Sequence, residues 1–293
     1  MQTITTLQIN RFYDLYKNLN ITFTKDAMLA LSFKPEQVMV RCGGQQCSCI
    51  INSASMTHAK IICEAKPEII KNFQDYSNNV SLRFVFLTPD GKDTVAFFVS
   101  SKVNTISAVE AKKSQLILVS LEYTQKAPDD LIEKLGFVLE SNINATRRKS
   151  ERLVLTDESI HKIDLVSREA FIFIQSIQRR CILIDISFSG VKLVLVGIAN
   201  FLVGQEATVK FDFESPQTTI GVKGKIIRAE HIDGRKDLIA IAIGFHENEI
   251  PLIYKVHLNK FFSQHKIAVS TEKSNTQKSE TTKPSVKSVE QES

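Results

Sequence analysis

A chain of 293 residues with 43% hydrophobic and 24% charged side chains has room for two cores, and its composition excludes both wholesale disorder and a protein built of membrane spans. Its net charge of +5 leans toward anionic partners, a phosphate-bearing ligand among them, without demanding a nucleic acid. The five cysteines (Cys42, Cys47, Cys49, Cys63, Cys181) are odd in number, and Arg11 interrupts the stretch a signal peptide would need, so a reducing cytosol and free thiols are expected.

Leu7, Ile9, Phe12, Leu15 and Tyr16 recur near helical spacing and predict a short amphipathic helix over residues 3–19. The texture then changes to β-branched and aromatic runs at 37–41, 48–51, 59–63, 80–87, 94–103 and 116–123. Turn signals such as Gly43-Gly44 and Pro89-Asp90-Gly91 separate them, so a barrel or sandwich is expected. Pro128-Asp129-Asp130 suits a helix start, and Leu131, Ile132, Leu135, Val138 and Leu139 form one apolar face. This connecting helix delivers the chain into a polar basic stretch, residues 145–152. Strands resume at 153–155, 171–177, 181–186, 191–196, 207–213, 221–228 and 238–245, most economically a small antiparallel barrel. Residues 249–264 carry Ile250, Ile253, Tyr254, Leu258 and Phe262 on one side, a helix able to cap that barrel. Beyond His265 the composition turns polar and a disordered tail is expected. The most apolar stretch, 191–204, is broken by Lys192 and Asn200 and is too short to span a bilayer. The expected protein is thus soluble, cytoplasmic and mainly β: two β-barrel-like domains joined by a helix. Its divisions fall at 1–127 (β-rich, with the short helix), 128–152 (connecting helix and basic linker), 153–265 (six-stranded barrel and C-terminal helix) and 266–293 (tail).

The six histidines are dispersed, and no Ser/His/Asp set, phosphate-binding glycine loop or HExxH occurs, so no enzyme is indicated. Cys42, Cys47 and Cys49, with His58 and Cys63 nearby, lack the paired spacing of structural zinc and read as core thiols.

Two features stand out in the C-terminal half. Arg148-x-x-x-Arg152, preceded by Arg147, enters the first strand of the barrel, and Asp185-x-Ser187-x-x-Gly190 forms the turn out of a later strand. An RxxxR alone is expected by chance about once in two such chains and a DxSxxG about once in ten, so it is their order, separation and strand context that are specific. Together they resemble the PilZ family, whose RxxxR segment and D/NxSxxG turn lie on one six-stranded antiparallel barrel. Gly224-Lys225-Ile226-Ile227-Arg228 and Ile243-Gly244-Phe245 look like that family's late strands, and the resemblance covers residues 144–262. It implies a cyclic di-GMP receptor that needs no cofactor, with Arg147, Arg148, Arg152, Asp185, Ser187 and Gly190 as the ligand site. The chemistry is consistent with that ligand. An arginine fork pairs with phosphate or with guanine O6 and N7 and stacks on a base, whereas a carboxylate accepts the N1–H and 2-amino protons that arginine cannot. Ser187 adds a short hydroxyl, and Gly190 allows a positive φ or a close backbone approach.

The N-terminal half resembles, in overall pattern, the domain that accompanies PilZ in two-domain spirochaete receptors, and it is expected to bind a protein partner. Because the arginines lie between helix and barrel, ligand capture is expected to change the arrangement of the domains and so regulate a downstream partner in motility, virulence or related signalling. The alternative is a ligand-independent interaction module or a nucleic-acid binder. The run 147–152 with Arg179-Arg180 is basic, but it lacks the interleaved aromatics of a single-strand binder.

Overall fold

The computed structural model describes residues 5–75, 77–88, 91–109 and 115–263; the expected tail, 266–293, lies outside the described residues. Helix α1 (Thr6–Tyr16) starts where the Thr5 hydroxyl accepts the Gln8 N–H, and it buries Ile9, Phe12 and Tyr16. Strand β1 (Ile21–Thr22) and helix α2 (Lys25–Leu31, capped by Thr24) follow. Next come β2 (Met39–Cys42), β3 (Gln45–Ser48), β4 (Ile50–Ala54), β5 (His58–Glu64), helix α3 (Pro67–Asp75), β6 (Asn79–Leu87), β7 (Thr94–Ala108) and β8 (Leu116–Tyr123). The strands pair antiparallel in the order β1-β4-β5-β8-β7-β6-β2-β3. Only Cys49 separates β3 from β4, and its N–H still donates to Val38 O on the β2 side before Ile50 takes up pairing with Ile62 of β5. The sheet packs its inner face around Leu82, Phe84 and Phe86. All five cysteines are free; four are buried and Cys47 is half-buried.

Helix α4 (Asp129–Arg147) runs past the expected connecting helix to include Arg147, so the basic stretch begins as its last turn. Leu131, Ile132, Leu135 and Val138 are buried in the first core, each worth about 1.5–3 kcal/mol relative to exposure. Gly136 is required here, since a Cβ on it would lie 2.5 Å from the Phe12 ring of α1. Buried Glu140 receives Arg11 as its ion-pair partner.

Beyond α4 come β9 (Arg152–Val154), α5 (Asp157–Lys162), β10 (Glu169–Ile174), β11 (Ile177–Ser187), β12 (Gly190–Val196), β13 (Glu206–Glu214), β14 (Gln217–Ile232), β15 (Arg235–Phe245) and helix α6, residues 252–263. The order β10-β13-β14-β15-β12-β11, with β10 also paired to β11, closes a six-stranded barrel. α6 caps it, burying Ile253, Tyr254, Leu258 and Phe262 in the second core. It also touches the first half: Asn144 Nδ2 donates to Asn259 Oδ1 (2.7 Å), Lys255 Nζ to Asn142 Oδ1 (2.9 Å) and Leu252 N–H to Asp26 Oδ2 (2.8 Å).

His257 of α6 is 2% exposed and stacks on Phe213 at 3.9 Å between ring centroids. Its Nδ1 lies 3.4 Å from Asp164 Oδ2, and Lys260 Nζ holds the same oxygen at 2.7 Å. Burial pushes the His257 imidazole below its ordinary range, outweighing the Asp164 charge, so the folded state carries it neutral. The unfolded chain therefore binds more protons as pH falls through about 6.5, and stability present above that pH is lost below it. Burial alone would raise the Asp164 carboxyl, but its contacts with His257 and Lys260 hold it below its usual value, which adds a loss of the same sign at lower pH. The urea midpoint is expected to fall between about pH 7.5 and about pH 5.5, and to fall less in His257→Phe, which keeps the stacked ring without the titration. An equal drop in both proteins would refute the assignment.

Candidate functional site

Strand pairing brings the two motifs together. β10 covers β11 only as far as Ile182, and beyond it β9 takes the vacated edge, with Val154, Leu153 and Arg152 opposite Asp185, Ile186 and Ser187. Leu155 N–H continues the ladder to Ile184 O at 2.9 Å. Arg152 thereby reaches Asp185, Nη1 to Oδ1 at 2.5 Å, with its side chain 52% exposed. Asp185 is 15% exposed, and a pair with one partner open to water is worth about 1 kcal/mol or less, so a competing ligand separates it at modest cost.

Arg148 sits differently. It is the C-cap of α4, its N–H donating to Asn144 O (2.8 Å), and its side chain is 9% exposed. Its nearest carboxylate, Glu151 Oε1, is 3.9 Å from Nε, and its buried Nη1 has no hydrogen-bond partner among the described residues. A buried donor left unmatched costs about 1–3 kcal/mol, so an acceptor offered to this guanidinium is bound with that cost relieved. Arg147, on the last turn of α4, is exposed and projects its charge into solvent.

The DxSxxG turn is tied down from three sides. Ser187, 1% exposed, donates its hydroxyl to Gly190 O (3.2 Å), and its carbonyl accepts the Tyr254 hydroxyl (2.8 Å). Burial first, then the nearby Asp185 charge, pushes the Tyr254 phenol well above its ordinary range. Ser189 donates its hydroxyl to Lys149 O at 2.7 Å, which joins this turn directly to the arginine segment, and Lys149 Nζ reaches Glu247 at 2.7 Å. Gly190 does not adopt a positive φ. A Cβ there would lie 2.4 Å from Ile243 O of β15, so the close approach that glycine permits is to a neighbouring strand.

Of the six expected residues, contact joins Arg152 to Asp185 and Ser187 to Gly190, while Arg147 and Arg148 flank them from the end of α4. Lys149, Ser189 and Tyr254 hold this arrangement together and were not singled out from the sequence. The first two occupy the variable positions of the motifs, and Tyr254 reads simply as part of an apolar helix face. A cavity of about 360 Å³ opens beside the Lys149–Ser189 link, lined also by Thr146, Phe188 and Lys255. The arrangement offers three cationic forks and one carboxylate, with no nucleophile and base in contact. Among the described residues no group of His, Cys, Asp and Glu is placed to hold a metal, and no helix is long and apolar enough to cross a membrane.

Comparison with known proteins matches residues 7–142 to the PilZN3 domain and residues 146–264 to the PilZ domain. A Treponema denticola protein described as "Cyclic di-GMP binding protein" is 50% identical over 256 residues, covering 87% of this chain and 82% of that one. Among solved structures, the Borreliella burgdorferi PlzA protein in complex with c-di-GMP is 23% identical over 88% of this chain and 99% of that one, with a TM-score of 0.41. YcgR from Escherichia coli in complex with c-di-GMP is 12% identical over 85% of this chain and 91% of that one, with a TM-score of 0.26.

Proposed function

The chain belongs to the PilZ family, a PilZN3 domain preceding its PilZ domain, and on that premise we propose that it is a cyclic di-GMP receptor rather than a catalyst. The observation that carries this reading is the pairing of β9 with the end of β11, which sets an exposed arginine against an aspartate with two further arginines beside them. The described binding activity of the Treponema relative supports it. Arg147, Arg148 and Arg152 engage the phosphates and the O6/N7 edges of the guanines. Asp185 releases Arg152 and accepts guanine N–H protons, and Ser187 and Gly190 keep the turn in place.

The working divisions are 1–127, 128–152 and 153–265, with the hinge at 148–151. α4 is anchored in the first core by Leu131, Ile132, Leu135 and Val138, so ordering the residues that follow it fixes how the barrel sits against the N-terminal domain. The bias between arrangements equals the ligand's difference in affinity for them. The N-terminal half carries that change to a protein partner in the cytoplasm.

Calorimetric titration of the full chain tests the reading. Cyclic di-GMP is expected to bind at submicromolar to micromolar strength, and cyclic di-AMP and GTP far more weakly. Small-angle scattering at the two ends of the same titration is expected to differ. Silence toward cyclic di-GMP at tens of micromolar refutes the receptor, and binding with superimposable scattering profiles refutes the hinge.

A further inference from the structure

The end of the barrel away from Arg152 and Asp185 carries a concentration of exposed apolar side chains. β12 ends at Val196, and residues 197–205 loop back to β13 beside the β10–β11 turn, where Gln175 Nε2 donates to Gln205 Oε1 at 2.9 Å. Phe201 is 92% exposed, Val196 and Ile198 68%, Val203 58% and Ile177 57%.

This tip is held in place by specific contacts. Leu202 turns inward and is 9% exposed, Gly204 N–H donates to Ile226 O at 2.8 Å, and Ile226 N–H donates to Gln205 O at 2.9 Å. Phe201 holds φ at +66°, a sparsely populated region for a bulky side chain, and so points out where its neighbour points in.

Cations stand at both ends of the loop. Arg179 Nη1 lies 3.3 Å from where a Cβ on Gly197 would be, and Lys225 Cε lies 3.8 Å from the same point on Gly204. Neither forms an ion pair among the described residues; Glu206, opposite Lys225 in the ladder, gives its carboxylate to His246 at 2.7 Å. Phe201, 92% exposed, would need a fitted socket on any rigid partner. It suits a deformable one, in which aromatic and aliphatic groups enter the acyl boundary while flanking cations stay among anionic headgroups.

We propose that the loop 197–205 is a docking site for bilayer surfaces containing anionic phospholipid, with Phe201, Ile198 and Val203 inserting and Arg179 and Lys225 meeting the headgroups. The opposite end, with the arginine–aspartate site, is left open by such docking.

The chain has no tryptophan, so Phe201→Trp places a single indole at the tip, excited selectively over the five tyrosines. Its emission is expected to shift to the blue with vesicles of phosphatidylcholine and phosphatidylglycerol, and to stay unshifted with phosphatidylcholine alone. In co-sedimentation with the anionic vesicles, Phe201→Ser is expected to weaken partitioning about tenfold, and Arg179→Glu with Lys225→Glu by a similar factor, with unfolding midpoints unchanged at these surface positions. An unshifted emission on anionic vesicles, or variants that sediment like the native chain, would overturn the proposal; the first is the result expected of a loop that serves a protein partner instead.

Discussion

Arg148→Met is expected to weaken cyclic di-GMP binding by roughly 10- to 100-fold, the worth of one bidentate arginine contact, while leaving the free protein as stable as before or more so. The two effects separate because of where the side chain rests. Its guanidinium is 9% exposed, its nearest carboxylate is 3.9 Å away, and Nη1 has no partner among the described residues. Methionine keeps most of the buried stem and removes the poorly matched charge, a substitution that by volume costs less than about 1.5 kcal/mol and returns about 1–3 kcal/mol of unmet hydrogen bonding. Arg148→Lys keeps the charge without the planar fork and is expected to restore binding only in part. Arg152→Ala differs in kind: Arg152 is half exposed but its partner Asp185 is only 15% exposed, so leaving that carboxylate unpaired costs about 1 kcal/mol of stability alongside the affinity loss. Titration calorimetry and urea unfolding on the same preparations separate these outcomes. Native affinity in Arg148→Met would remove this arginine from the site, and a collapse of its unfolding midpoint would make it structural.

Much of the architecture is legible because strands that bury one face alternate. Residues 116–123 coincide with β8, and the barrel strands at 191–196 and 207–213 match β12 and β13 to within a residue at each end. What the pattern hides is short or tertiary. Helices α2 and α5, of seven and six residues, complete too few turns for periodicity to emerge, although Thr24 and Thr156 cap them. Strand β14 runs to Ile232 because register shifts after Ile226 and after His231 let it bend from β13 onto β15, and no local signal announces a bulge of that kind. The order of the strands in the first sheet depends on which strands meet, which one strand cannot reveal. At the site, residue chemistry was legible and posture was not. RxxxR reads as ligand-binding arginines in a basic linker, whereas Arg147 is helical and Arg148 is buried. Ser187 reads as a hydroxyl for the ligand, whereas its proton goes to Gly190 O.

Gly190 poses the same question in a form that a single substitution answers. From the sequence, its glycine makes room for ligand; in the structure it makes room for β15. A Cβ would lie 2.4 Å from Ile243 O, a backbone atom in the ladder between β12 and β15, where Val191 faces Ile243 and Gly190 faces Gly244. A flexible side chain could yield, but this carbonyl cannot move without parting two paired strands of the barrel. Gly190→Ala is therefore expected to cost about 3 kcal/mol, the upper end for overpacking, and to displace the turn that carries Ser187 and Ser189. Gly224→Ala, whose Cβ would lie 2.3 Å from Gly244 O, is expected to cost a similar amount at a point outside the turn. Gly221→Ala is the mild control, because its nearest neighbours, Thr208 Cγ2 at 3.1 Å and Lys210 Nζ at 3.3 Å, end movable side chains. Urea midpoints rank the three, and binding measured below each midpoint separates fold from ligand. If Gly190→Ala unfolds like the native chain yet no longer binds cyclic di-GMP, the glycine clears space for the ligand. If it loses stability alongside Gly224→Ala, the shape of the turn is a demand of β12–β15 pairing, and ligand geometry follows from it.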